Sequence, residues 1–517
     1  MKSFPGNPIG VLLAWLVMLL PLSGRASEAK PLPNIVYILT DDLGYGDVSA
    51  LNPDSKIPTP NIDRLAASGM VFTDAHSGSA VCTPTRYGIM TGRYAWRTHL
   101  RRGVLWGFSP PLIQKDRLTV ASLLKQSGYR TGMIGKWHLG MDWPLLEMPD
   151  DGNWATFHDP KVDWSRAIRN GPTAHGFDSF FGISASLDMP PYVFIENDRT
   201  AGIPTVKKSL FKKRTGASVP DFEADHVLQT FGQRACDFIG KSANIGRPFF
   251  LYLSLNSPHT PIAPRKEFQG RSGINAYADF VMETDAVVGD LLNAIDLAGI
   301  RDDTLIVFTS DNGCSPQADF KALAAAGHNP IHVFRGAKTD LFEGGHRVPF
   351  IVSWPAQVKT GSNCSHPVCL TDFLATAAEL TGQKLPPNAG EDSFSILPDI
   401  LGRSSRQGQR YLVHQSVNGH LSIRQGKWKL LVSSGSGGKS EPTDENATAK
   451  GLPAVQLYDV EADVGETRNV QSEHPEIVAD LTAALQDMIQ RGRSTAGPEQ
   501  RNDVPVPLMP ASSKSEE

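Results

Sequence analysis

The feature that most limits how this chain can fold is a set of apolar runs that do not alternate. Residues 34–40 (NIVYILT), 248–254 (PFFLYLS) and 304–309 (TLIVFT) carry β-branched and aromatic side chains at consecutive positions. A strand with one wet face would alternate apolar with polar, whereas these need cover on both faces, as in a parallel sheet packed between helices. Shorter strands are expected at 70–75, 129–134 and 348–353. Helical patterns at 119–126, 225–241, 277–297 and 371–380 are interspersed with them. The alternation predicts an α/β fold with a large, mostly parallel mixed sheet sandwiched by helices. Further on, short alternating strands at 411–415, 421–432 and 455–460 and a terminal helix at 473–491 predict a smaller C-terminal α+β domain. The expected organisation is a main domain over 32–404, the small domain over 405–493 and a flexible tail over 494–517.

In sheets of this kind ligands bind outside the carboxyl ends of the strands. Here those ends are rich in polar groups: Asp41 and Asp42 after the first run, Lys136 and His138 after 129–134, His259 between two prolines after 248–254, and Asp311 and Asn312 after 304–309. Two adjacent carboxylates directly after a buried strand repel each other and are costly without a cation. Ahead of the third strand, Cys82-Thr-Pro-Thr-Arg86 reads as the first turn of a helix. Pro84 fits there, since its missing N–H would have had no partner, and the free amides with Arg86 suit an anion.

Residues 1–26 have the form of an export signal: Lys2, an apolar stretch over 9–22, and small residues up to a cleavage site after Ala26. The apolar stretch is too short for a comfortable membrane span, so the protein is expected to be periplasmic or secreted, without a stable span after cleavage. Cleavage removes Lys2 and Arg25 and no acidic residue, taking the formal charge from −4 to −6. Such a surface lacks the basic stripe of a nucleic-acid binder, so any anion site is local. Five cysteines, an odd number, leave one unpaired or chemically special in an exported protein. Cys364 and Cys369 are near enough to bridge a short loop, and Cys82 is the candidate for the special one.

Taken in order, T-D-D-L-G at 40–44, C-T-P-T-R at 82–86, G-K-W-H at 135–138, S-P-H-T-P at 257–261, S-D-N-G at 310–313 and R-G-A-K at 335–338 with E-G-G-H-R-V-P at 343–349 resemble the formylglycine-dependent sulfatases. These form the arylsulfatase branch of the alkaline phosphatase superfamily, and the resemblance runs from residue 34 to about 470. It implies that 32–404 is the catalytic domain and that a separate maturation enzyme converts Cys82 to formylglycine (3-oxoalanine), whose hydrate is the nucleophile. It further implies a calcium ion, or magnesium, held by Asp41, Asp42, Asp311, Asn312 and the modified Cys82; oxygen donors are what such hard cations prefer. Arg86 and Lys136 would stabilise the nucleophile, His138 would act as base in the second step, and His259, Lys338 and Lys136 would contact sulfate, with Ser186 as a further sulfate-side residue. Thr85 stands where serine or alanine is the commoner family residue.

The same constellation also suits a phosphonate monoester or phosphodiester hydrolase on this fold, and fold alone does not decide between them. A sulfated-glycan binding protein with a dead site would have lost a metal ligand or Cys82, and none is missing. Residues 141–213 have little periodicity and are expected to wall the substrate pocket. Trp143, Trp154, Trp164, Phe157 and Tyr192 lie there among Asp151, Asp159, Asp163, Asp188 and Arg166. Aromatic faces beside carboxylates and arginine suit sugars, so the expected substrate is a sulfated carbohydrate.

Overall fold

The non-alternating runs feed two layers at once. In the computed structural model, which describes residues 1–6, 32–149, 152–403 and 410–509, the strand Asn34–Asp41 sends Val36 and Ile38 into a core with Leu251, Leu253, Phe231, Val281 and Val288. Phe231 belongs to the helix Ala224–Ala243, and Val281 and Val288 to the helix Ala276–Leu297. Tyr37 points to the opposite layer, where Phe373 lies 4.6 Å away, ring centre to ring centre, on the helix Phe373–Leu380. Both faces are thus covered by helices, which is why neither set of positions is polar.

The main sheet has ten strands in the order Ser362–Cys364, Met70–Phe72, Phe350–Ser353, Thr304–Ser310, Asn34–Asp41, Phe249–Pro258, Arg130–Lys136, Ser179–Ile183, Ile195–Glu196 and Arg199–Thr200. The five strands from Thr304–Ser310 to Ser179–Ile183 are mutually parallel, so their carboxyl ends share one edge. Antiparallel pairings are confined to the flanks. The strand Ser179–Ile183 lies inside the stretch expected to lack regular structure. It has only five residues, too few for a distinct apolar run.

The second sheet pairs Tyr411–Gln415, Leu421–Gln425, Trp428–Leu431 and Gln456–Asp459, all antiparallel. The single strand expected at 421–432 is a hairpin, because Gly426 takes φ +56° in a two-residue turn between Gln425 and Trp428. The helix Pro475–Arg491 covers this sheet, packing Leu481, Leu485 and Met488 on Leu412, Ile423 and Leu430. The structure thus matches the α/β expectation, with a small antiparallel four-stranded domain beside the large sheet.

Where the second sheet meets the main one, charge is buried. His76, His346 and His414 are fully buried together, with the His346 and His414 rings stacked at 3.7 Å and 7°. Around them Asp74 pairs with Arg347 (2.5 Å) and Arg424 (2.9 Å), and Glu343 with Arg347 (2.7 Å) and Lys429 (3.0 Å). Lys429 also meets Glu466 at 2.8 Å.

One expectation is corrected, and one open question is answered. The segment from 494 was expected to be a flexible tail, but its first part is docked. Arg93 pairs with Asp503 at 3.0 Å, the Asp503 N–H donates to the Arg97 carbonyl, and Val506 and Leu508 pack on the second sheet's core. The buried arginines account for this, since each needs a partner. No bridge joins Cys364 to Cys369, because Cys369 is a free, buried thiol, as are Cys82 and Cys314. The expected signal peptide and the 404/405 boundary fall largely outside the described residues, as does Asp151. Among the described residues no helix is long and apolar enough to cross a membrane.

Candidate active site

The helix Cys82–Thr91 starts on the cysteine itself. Val81 before it is extended, no side chain caps the first turn, and Pro84 sits where an N–H is not needed. Gly92, at φ +62°, ends it by donating its N–H to the Gly88 carbonyl. Every residue of this helix is buried, and Cys82 is only 3% exposed. Burial raises the Cys82 thiol pKa, with Lys136 and Lys338 acting against that rise. The Thr85 hydroxyl donates to the Ser79 carbonyl at 2.9 Å, a bond that serine could make equally well.

Around the thiol, the strand ends converge. Asp41, Asp42 and Asp311 bring carboxylate oxygens within 4.8 Å of one another, and Asp41, Cys82 and His259 form an overlapping group of the same size. Arg86 grips Asp311 through Nη2 (2.6 Å) and Nε (3.0 Å) and lies 3.6 Å from Asp41. Lys136 Nζ is 2.5 Å from both Asp41 Oδ2 and Ser186 Oγ. Lys338 donates to Asp42 at 2.8 Å, as does Asn312 Nδ2 at 2.7 Å, and His259 Nε2 is 3.7 Å from Asp42. His138, two residues beyond Lys136, has Nε2 2.7 Å from the Leu105 carbonyl and a buried, unbonded Nδ1.

The electrostatics are those of charges held at close quarters. Burial alone would raise Asp41, but Lys136, His259, Arg86 and Lys338 hold its carboxyl well below the usual carboxylate range. Burial and the neighbouring Asp41 push Asp311 the other way, to about 6. Burial, then Lys136 and Arg86, keep His138 far below an ordinary histidine, so it is neutral and can accept a proton only when that charge is relieved. Burial disfavours a charged Lys338, yet Asp42 and its neighbours raise its pKa. Asp42 (φ +68°) and His138 (φ +56°) both occupy the left-handed region, strain of a kind that clusters at functional sites.

These residues fit a hard cation. Asp41 Oδ1 and Asn312 Oδ1 are buried with no hydrogen-bond partner, and both are oxygens. Three ionised carboxylates within 4.8 Å repel by roughly 3.5 kcal/mol per pair at an effective dielectric of 20. Oxygen donors that lack protons and crowd together are the donor set of calcium or magnesium.

All eleven residues singled out in the sequence lie along this edge. Ten are joined by the contacts above, and His138 by its closeness in chain to Lys136. Ser186 follows the parallel strand Ser179–Ile183, so the strand-end rule covers it too. Sequence reasoning missed Ser254, whose hydroxyl donates to the Lys136 carbonyl (2.7 Å) and accepts from Arg86 Nη1. A hydroxyl inside an otherwise apolar run was the available signal. It also missed the Leu105 carbonyl, for which no signal existed.

The chain matches the Sulfatase family over residues 33–383. It is 33% identical over 503 residues to an N-acetylgalactosamine-6-O-sulfatase of Bacteroides thetaiotaomicron, with 89% of this chain and 93% of that protein covered. It is 32% identical over 474 residues to human arylsulfatase A, covering 88% of this chain and 86% of that one. A solved structure from work on glycosaminoglycan metabolism by Bacteroides thetaiotaomicron superposes with a TM-score of 0.76 at 32% identity, over 88% of this chain and 99% of that one. With the family matched over most of its length, the chain belongs to the sulfatases and is a sulfate ester hydrolase.

Proposed function

We propose that this protein releases inorganic sulfate from a sulfated carbohydrate, using Cys82 after its conversion to formylglycine and a calcium or magnesium ion held by Asp41, Asp42, Asp311, Asn312 and residue 82. The observation that supports this reading is the pair of unbonded buried oxygens on Asp41 and Asn312, set among three crowded carboxylates beside a thiol that heads a helix. Names of relatives support the substrate class: one is an N-acetylgalactosamine-6-O-sulfatase.

The converted residue supplies, when present, one hydroxyl to attack sulfur and a second that lets the resulting ester break down, while the ion offsets negative charge. The chain's own groups do the rest. Arg86 fixes Asp311 and lends positive charge beside residue 82. Lys136, Lys338 and His259 surround the place where sulfate oxygens would sit, so that charge growing there meets fixed cations. His259, with Nδ1 tied to the Thr260 carbonyl at 2.7 Å, directs Nε2 toward the site, where it donates a proton to the leaving alcohol together with Lys338. His138, neutral in its buried place two residues beyond Lys136, would take a proton from the converted residue's second hydroxyl. The protein is exported as its N-terminal 26 residues direct.

The deciding experiment measures sulfate release from defined sulfated sugars by protein made with a maturation enzyme, alongside mass spectrometry of the peptide containing residue 82. We expect formylglycine at 82 and release from at least one sugar. Active enzyme carrying only free thiol would overturn the nucleophile, and faster hydrolysis of matched phosphate esters would favour the phosphonate monoester or phosphodiester reading.

A further inference from the structure

One side of the site carries a polar cluster that the roles above do not use. Two segments reach it from positions next to the catalytic edge. The first is the turn after Ser186, closed by the Met189 N–H donating to the Ser186 carbonyl at 2.9 Å, which carries Asp188. The second follows Leu105, whose carbonyl meets His138 and whose N–H donates to Thr83 Oγ1 at 3.1 Å, one residue from Cys82; it carries Trp106. Arg214 joins the two. Its Nη1 pairs with the Asp188 carboxylate and lies 3.4 Å from the Asp188 carbonyl, while its guanidinium carbon sits 4.7 Å from the Trp106 ring centre.

We propose that Asp188, Arg214 and Trp106 form a sugar-reading wall, which takes a hydroxyl-bearing edge of the carbohydrate whose sulfate enters the catalytic edge. This rests on the sulfated-carbohydrate reading above and names the residues that select the sugar. Three observations carry it. Arg214 is held rigidly, by Asp188 and Trp106, by the ring of Phe211 at 5.8 Å, and at its own carbonyl by the Tyr192 hydroxyl at 2.7 Å. Only half of its fork is used: among the described residues nothing bonds Nε or Nη2, and the side chain keeps 28% exposure, against 9% for Asp188. At that exposure the free donors are open to solvent and to a ligand hydroxyl alike. Finally, Asp188 cancels the charge of Arg214, so the pair is matched to neutral groups that both donate and accept, which are hydroxyls, and not to a second sulfate. The His158 ring lies 5.5 Å from that of Trp106, and burial and then Arg214 lower its pKa.

Two of the five aromatics expected to contact sugar are packed inside instead. Trp143 is buried, with its ring N–H on the Gly107 carbonyl and its face against Phe108 and Trp164, and Tyr192 is buried behind Arg214. Both pack the insertion and leave recognition to residues 106, 188 and 214.

The test compares kcat/KM of the matured enzyme on a sulfated hexosamine, on analogues of it each lacking one hydroxyl, and on an aryl sulfate, for wild type, R214A, R214K and D188N. R214A and D188N should lower the sugar-to-aryl ratio by about 10- to 100-fold, with R214K recovering part of it. At least one deoxy analogue should be poor for wild type but no worse than its parent for R214A. An unchanged ratio in folded R214A and D188N, judged by melting temperature, would overturn the wall. If those variants do not fold, the wild-type deoxy series decides: no loss on any single deoxygenation overturns it equally. A wild type that hydrolyses aryl sulfate but none of the sugars would instead defeat the substrate class on which the proposal rests.

Discussion

Two buried polar clusters in this protein have the same ingredients and opposite character. At the sheet edge three acids (Asp41, Asp42, Asp311) meet three bases (Arg86, Lys136, Lys338). Under the second sheet three acids (Asp74, Glu343, Glu466) meet three bases (Arg347, Arg424, Lys429) around His76, His346 and His414. In the second cluster the signs are interleaved, and its unbonded atoms, His414 Nε2 and Arg347 Nε among them, are of mixed character. Its imidazoles are engaged in hydrogen bonds, His76 Nδ1 with His346 Nδ1 at 3.0 Å, His76 Nε2 with Asp74 at 2.7 Å and His414 Nδ1 with Ser422 at 3.2 Å. In the first cluster the acids are pressed together on one side, and the unbonded atoms there include two oxygens. Charge count therefore says little about purpose. The arrangement of signs separates a network that ties two sheets together from the site proposed to hold a cation.

The strongest way to break this comparison is to remove one charged group from each cluster. D42N should lower turnover on the order of 10³-fold and abolish the rise in melting temperature that calcium gives wild type, both read on matured protein. A chelator should have the same effect on wild-type activity. K429M should cost about 3 to 5 kcal/mol of unfolding free energy by leaving Glu343 and Glu466 buried without their cation, yet keep the calcium-induced shift. Equal loss of the calcium shift in both variants would erase the distinction.

Acidity should act on both clusters, though in the first Asp41, held low by its cations despite burial, opposes Asp311. Burial holds His76, His346 and His414 below their ordinary value, so the unfolded chain takes up protons first and stability falls as pH drops below about 6.5. Glu466, raised to about 7, works against these three. Asp311 is raised from 3.8 to about 6, so in metal-free protein its contribution is full below pH 4 and is lost as pH rises through 6. Melting curves from pH 4 to 8 should show calcium lifting the high-pH side much more than the low-pH side. The smallest expected effect is T85S, which keeps the bond to Ser79 and removes one buried methyl. It should cost less than about 1 kcal/mol and leave formylglycine conversion intact by mass spectrometry.

Much of the site was legible because several functional side chains follow strongly apolar runs. Asp41, Asp311 and His259 are marked by the strands that end on them, since a carboxylate or imidazole against such a run stands out. Ser186 was weaker because its strand is only five residues long. Asp188 with Arg214, and both with Trp106, could not be seen: their meeting depends on the path of an insertion with no periodicity. Composition misled at Trp143 and Tyr192, because an aromatic that packs and one that binds sugar look alike in sequence. The docked tail was hidden likewise, since nothing near Arg93 or Arg97 announces that Asp392 and Asp503 are their partners.

The burial of Cys82 has a consequence for the order of events during synthesis. The loop leading to it is closed by Gln415, whose carbonyl accepts from Ser79 across 336 residues. A ribosome adding about 5 to 20 residues per second needs roughly 17 to 67 s to cover that span. For that time the cysteine belongs to a nascent chain whose loop cannot yet close on Gln415, open to any protein that reads a short linear peptide. Once Gln415 arrives the loop can close, so the proposed conversion of Cys82 would compete with completion of the fold, and a slower-translated or later-folding chain would gain a longer window.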